Sequence, residues 1–134
     1  NTKNVNYFGF LKNEKVIEQL KKMHIFAHPS IWPETSCIAA IESMAAGCEI
    51  VTTDLGALNE TCFPFGKIIN FEKNPDDLEK KYSEALLDSI KNYWSDENQK
   101  KLKLQRETIN TTYSWDVRSV EWKNFFNKIK ELKN

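Results

Sequence analysis

Between His24 and Phe71 the chain alternates short apolar runs with helical patterns, and this alternation constrains the fold more than any other feature. Residues 24–28, His-Ile-Phe-Ala-His, are short and nearly continuous in apolar character, as a strand buried on both faces requires. A loop over 29–33 follows. A helix is expected over 36–46, stopping at Gly47, a residue suited to the left-handed position beyond a helix C-terminus. Residues 48–53 read as the next strand, 54–57 as a turn, 58–62 as a helical turn and 67–71 as a further strand. With Val5-Asn6-Tyr7-Phe8 read as a short strand ended by Gly9, the sheet has at least four strands. Strands alternating with helices give an α/β fold, a parallel sheet covered on both faces.

In such sheets ligands sit at the carboxyl ends of the strands. Loop 29–35 and loop 54–57 follow successive strands and therefore open on one edge. Before them, Asn13 is expected to cap a helix over 14–22 with Val16, Ile17 and Leu20 facing inward. After Phe71 the pattern becomes helical. Asn74-Pro75-Asp76-Asp77 combines a cap, a proline at the first position and acids in the first turn. Helices are expected over 75–92, 95–111 and 114–132, with Ser95 and Ser114 as caps. Leu78, Tyr82, Leu86 and Ile90 share one face of the first, and Trp115, Trp122, Phe125 and Phe126 are read as core. The 134 residues suit a single domain, an α/β core over 1–71 with a helical tail over 72–134.

Composition removes several function classes. Formal net charge is zero and no basic block alternates with aromatics, which argues against nucleic-acid binding. Arg106 and Arg118 are the only arginines, which limits bidentate phosphate contacts. No apolar run reaches the length of a membrane span, and no signal peptide is visible. Cys37, Cys48 and Cys62 are odd in number and lack metal-type spacing; they read as reduced thiols of a cytoplasmic protein, with Cys37 a small filler in preference to a reactive thiol. His24 and His28 are read as packed or surface residues. Because the chain opens on Asn1, it is expected to be a fragment or a trimmed piece.

Residues 33–49 carry the chemistry. Glu34 and Glu42 have seven residues between them; the first stands at the entrance of the 36–46 helix and the second inside it. A helix start offers free N–H groups and partial positive charge, which suit a phosphate. A carboxylate one to two turns further in suits a pair of ribose hydroxyls, so the arrangement suggests a nucleotide-sugar site. Glu42 borders an expected buried stripe of Ile38, Ile41, Met44 and Ala45. A structural carboxylate pairing inside the fold is the equally weighted alternative.

His28-Pro29-Ser30, Pro33-Glu34-Thr35-Ser36-Cys37, Ile41-Glu42-Ser43-Met44-Ala45-Ala46-Gly47 and Val51-Thr52-Thr53-Asp54-Leu55-Gly56-Ala57 together resemble the donor-binding half of the GT-B retaining glycosyltransferases, glycosyltransferase group 1 (family 4). The likeness runs in order from about Val5 to Phe71, and the end at Tyr113-Ser114-Trp115 is similar to the family's usual tail. It implies a Rossmann-like sheet, the incomplete C-terminal domain of a GT-B enzyme. It implies that Glu42 holds the donor ribose, that Glu34 is the catalytic-site carboxylate near the reacting sugar carbon, and that Thr35, Ser36 and Cys37 offer backbone N–H groups to sugar hydroxyls and diphosphate. Thr-Ser-Cys departs here from the family's common Gly-Phe-Gly, which leaves the sugar's identity open. Gly56 and Glu60 match a Gly-x-x-x-Glu stretch weighed as structural.

The resemblance further implies a UDP-, GDP- or ADP-sugar as donor, no cofactor, no metal, and a parent hexosyltransferase that is cytoplasmic or peripheral at a membrane. A partner N-terminal acceptor domain, and an Arg and a Lys from the early part of the donor domain, lie outside these residues, so the piece alone is expected to transfer no sugar. Two other readings stay open: a GT-B-fold sugar-nucleotide epimerase or phosphorylase, and a non-catalytic α/β nucleotide-sugar-binding module.

Overall fold

A computed structural model describes residues 3–132. Three parallel strands, β1 (Ile25–His28), β2 (Glu49–Thr53) and β3 (Lys67–Ile69), lie in the order β1-β2-β3. Six helices accompany them: α1 (Asn13–Leu20), α2 (Ile38–Ala46), α3 (Leu58–Cys62), α4 (Pro75–Asn92), α5 (Asp96–Thr112) and α6 (Trp115–Leu132). The expected α/β class and parallel pairing are present. The expected fourth strand is not: residues 5–8 form no strand, and Val5, Tyr7 and Phe8 are exposed. Their apolar character alone fitted a strand, but a strand also needs a neighbour to pair with, and among the described residues none pairs with them.

Register explains the two faces of the sheet. Phe26 pairs with Ile50, and the next position, Ala27, pairs with Val51. Successive side chains point to opposite faces. Phe26, Ile50 and Ile68 therefore pack on one side with Cys37, Ala40, Met44, Leu58, Cys62 and Ile109, the contributions of α2, α3 and α5. Ile25, Val51 and Ile69 pack on the other with Tyr82, Ala85 and Leu86 of α4. Tyr82 donates from its hydroxyl to Val51 O at 2.8 Å, and burial pushes its pKa up to about 12. All five residues of β2 are buried, as the central strand of a covered sheet should be.

Helix ends follow the expected signals where a cap is local. Asn74 accepts from Asp76 N at 3.0 Å with Pro75 at the first position, and Ser95 accepts from Asn98 N at 3.3 Å. Gly47 takes φ 98°, the left-handed geometry expected of it. Asn13 departs from its expected role. Lys12 is the N-cap of α1, without a side-chain cap bond, and Asn13 lies inside the helix with its amide turned toward α2. Two burial expectations also fail. Ile38 is 67% exposed, because α2 turns Ala40, Ser43 and Met44 to the core instead. No residue of α6 is buried, and Trp115, Trp122, Phe125 and Phe126 are all exposed, the last three packed ring against ring. The apolar pattern of α6 is a genuine face, but nothing among the described residues covers it.

A buried carboxylate ties the sheet to the helical segment. Glu49, only 2% exposed, accepts from Ser89 Oγ at 2.9 Å and from Asn98 Nδ2 at 3.1 Å, with Lys101 Nζ at 3.9 Å. One strand residue thus holds α4 and α5 together. Gln105, fully buried, donates to Met44 O at 3.3 Å and Cys48 O at 2.8 Å, and Asn110 donates to Ala45 O at 3.1 Å. Ala45 O is thus given a partner that α2 itself does not supply, Met44 O accepts a second bond beside that from Gly47 N, and Cys48 O, between α2 and β2, is held by the same Gln105 amide. Glu49→Ala leaves the Ser89 and Asn98 donors buried without their acceptor. Hydrogen bonds to a charged group contribute about 1.5–3 kcal/mol each, so urea unfolding should show a loss of about 3 kcal/mol, with Glu49→Gln losing less.

Candidate functional site

The site is built where β1 and β2 end. Ser30 and Thr53 begin it: Thr53 Oγ1 donates to Ser30 O at 2.8 Å, and Ser30 Oγ donates to Trp32 O at 2.9 Å. Thr52 Oγ1 donates to His28 O at 2.9 Å. The loop after β1 is therefore sewn to the end of β2 by hydroxyls that satisfy its own carbonyls. Further out the two loops meet again as backbone. Glu34 and Gly56 form a parallel bridge, and Ala57 N donates to Glu34 O at 2.7 Å. On the next side of the sheet Asp54 accepts from Phe71 N at 2.7 Å, while its own N–H donates to Ile69 O at 3.0 Å. Both loops do open on one edge, and they are joined there.

Gly56 makes that junction possible. Its φ is 68°, and a Cβ built on it would lie 2.5 Å from Glu34 N, closer still to Glu34 O, and 2.8 Å from Pro33 C. The reading of this glycine as structural is explained by these contacts, and Glu60, paired with it in the motif, is exposed. The bridge fixes the backbone of Glu34 three residues before the N-cap of α2, which is Cys37. That helix has no side-chain cap and no acid in its first turn, unlike α4 and α5. Its amino-terminal N–H groups are consequently available to an outside acceptor.

The five expected site residues divide into two groups. Glu34 is half-buried, Thr35 and Ser36 are exposed, and Cys37 is buried at the helix start. Glu42 sits one turn into α2, half-buried, with Oε1 accepting from Asn13 Nδ2 at 3.0 Å. Among the described hydrogen bonds its Oε2 has no partner. Glu42 is thus oriented from α1 by a residue that sequence reading took for a cap. The other group gains a member that sequence reading set aside. His28 Nε2 stands 3.5 Å from Glu34 Oε1 and 3.9 Å from Cys37 Sγ, and its ring stacks on Phe26 at 5.6 Å between centroids. The three ligand atoms of His28, Glu34 and Cys37 all lie within 4.8 Å of one another, a set of donors able to hold a metal ion. The available signal was the i, i+2 spacing of Phe26 and His28 on one strand face, which aims His28 at the helix start.

With this geometry in hand, the chain can be placed in a class. Its sheet edge, paired loops and uncapped helix define a parallel α/β domain open at the carboxyl ends of its strands. The family model for glycosyl transferases group 1 matches residues 1–106, and the chain belongs to that family. No curated protein and no solved structure matches it. Membership makes sugar transfer the general activity, with a sugar donor and an acceptor as partners. No helix among the described residues is long and apolar enough to cross a membrane.

Gly56→Ala tests the junction. A left-handed conformation costs a residue with a Cβ roughly 1–2 kcal/mol, and overlap with the Glu34 backbone adds to it. A loss of about 3 kcal/mol is expected, lowering the melting temperature by roughly 10 °C in a domain of this size. Gly9→Ala is the control: its φ is also positive at 65°, but nothing lies within 4 Å of the added methyl.

Proposed function

We propose that this chain supplies the donor half of a GT-B glycosyltransferase of family 4, one that moves a sugar from a nucleoside-diphosphate donor with retention of configuration. The observation that carries the reading is the uncapped N-terminus of α2 beside a Glu34 held in place by Gly56. The helix start is where the diphosphate and sugar hydroxyls would meet the N–H groups of Thr35, Ser36 and Cys37. A preorganised donor set of this kind stabilises the charge that develops on a departing diphosphate, at no reorganisation cost during reaction. Glu34 would face the donor sugar near its reacting carbon. Glu42, with one oxygen steadied by Asn13, keeps the other for the ribose hydroxyl pair. The chemistry needs no cofactor and no metal in this reading. The acceptor would be bound by a facing domain, and without it the chain transfers no sugar. UDP-, GDP- and ADP-sugars all fit the arrangement.

Two substitutions in the complete enzyme test the assignments. Glu42→Gln keeps shape but exchanges a charged acceptor for a neutral amide. A charged hydrogen bond contributes on the order of 1.5–3 kcal/mol, so donor affinity should fall by roughly ten- to a hundredfold. Glu34→Gln should lower turnover more than donor affinity, since its contact is with the sugar. Calorimetric titration with UDP, GDP and ADP, beside a thermal melt of each variant, reads the first, and a sugar-transfer assay reads the second. If Glu42→Gln lowers stability and leaves affinity unchanged, the carboxylate is structural and the ribose assignment is wrong.

A further inference from the structure

We propose that His28, Glu34 and Cys37 form a three-ligand site for a zinc-class divalent cation, and that its occupation removes Glu34 from the sugar donor. The second half of this inference rests on the donor reading above; the first does not. The set draws on three different segments: the end of β1, the bridged loop after it, and the N-cap of α2. No two of these residues share a helix, so helical periodicity does not account for their meeting.

Distances favour a cation between them over direct bonding among them. Useful hydrogen bonds from nitrogen to oxygen fall at about 2.7–3.2 Å. Here His28 Nε2 and Glu34 Oε1 are 3.5 Å apart, beyond that range, and the His28 Nε2–Cys37 Sγ contact is a long sulfur contact at 3.9 Å. Zinc binds nitrogen at about 2.0–2.1 Å, carboxylate oxygen at about 2.0–2.2 Å and thiolate sulfur at about 2.3 Å. At a tetrahedral angle those bonds put nitrogen and oxygen about 3.4 Å apart, and nitrogen and sulfur about 3.6 Å apart. The observed separations need only a few tenths of an ångström of closure on those two edges. One imidazole, one carboxylate and one thiolate suit zinc and its neighbours better than magnesium or calcium, which prefer oxygen throughout.

The surroundings suit an open site. Phe26 holds the imidazole plane, and the Gly56 bridge holds the Glu34 backbone, so two of the three ligands are preorganised. His28 and Glu34 are each about a third exposed, which leaves the fourth coordination position facing solvent. Of the three cysteines, Cys37 is the one with such neighbours. Cys62, pushed up to about 11 by burial and by its proximity to Cys37, stays a neutral thiol, and burial raises Cys48 as well. On binding, the Cys37 thiol gives its proton to solvent and the sulfur becomes the ligand, so uptake releases a proton.

The test loads the protein with zinc in competition with a chromophoric chelator, and in parallel with cobalt(II) as a spectroscopic stand-in. One equivalent should bind, and cobalt should show a sulfur-to-metal charge-transfer band. Cys37→Ser and His28→Gln should each weaken affinity at least tenfold, and Cys37→Ser should abolish the band. Cys62→Ser should change neither. Circular dichroism establishes that each variant is folded. A folded Cys37→Ser that keeps its zinc affinity, or cobalt bound without the band, overturns the site. Sugar transfer by the complete enzyme from UDP-, GDP- and ADP-sugars is then assayed with and without one equivalent of zinc. Lowered turnover is expected. Zinc held by these three residues with turnover unchanged overturns the competition and removes Glu34 from the donor contact. Donor binding with no zinc uptake overturns the metal site and leaves the donor reading standing.

Discussion

The backbone meeting of Glu34 and Gly56 is the contact on which the site depends. Two loops that leave neighbouring parallel strands would ordinarily diverge, each solvating its own peptide groups. Here one hydrogen bond, Ala57 N to Glu34 O, and a glycine with no side chain close them into an extra rung beyond the sheet. The rung sets where Glu34 stands, and thereby where α2 begins. A helix start is useful to a ligand only if its position is fixed before the ligand arrives.

The opposite end of α2 is treated in the opposite way. Met44 O and Ala45 O near its end accept from Gln105 and Asn110 of α5, and Gly47 turns the chain toward β2. The helix is thus anchored at its negative end and left open at its positive end. Glu49, the first residue of β2, then binds α4 and α5 to the sheet through Ser89 and Asn98. These contacts explain why helices beyond Phe71 matter to a candidate site that lies before it: they hold the helix whose far end borders that site. Gln105 spends its two amide hydrogens here and leaves Oε1 buried without a partner, the sole such side-chain atom among the described residues. A polar atom left idle in a core is a cost, and the amide's two bonds, to Met44 O of α2 and to Cys48 O just before β2, offset it.

His28 shows how far sequence reading reaches. Its strand was legible because five consecutive residues were nearly all apolar or aromatic. Its convergence with Glu34 and Cys37 was not, because those two arrive on a loop and a helix start that no local pattern places beside it. Asn13 is the converse case. It has the right residue type for a cap and the right position, yet its amide serves Glu42 across a helix pair. Caps at Asn74 and Ser95 were legible because both partners of the bond lie within three residues. The bond from Asn13 spans to residue 42, and no local rule foresees it.

The sequence by itself determined the parallel α/β class, β1, β2, β3 and the six helices to within a few residues, and the motif that places the chain among the group 1 glycosyltransferases. Those depend on local periodicity, caps and breakers, which are short-range. Only the tertiary structure decided that residues 5–8 form no strand pairing among the described residues, that Ile38 and the aromatics of α6 face outward, and that His28, Glu34 and Cys37 converge. Each of those depends on which surface another segment covers or which segment arrives alongside. Hydrophobicity in a sequence states that a residue favours burial; it does not state whether a neighbour exists to bury it.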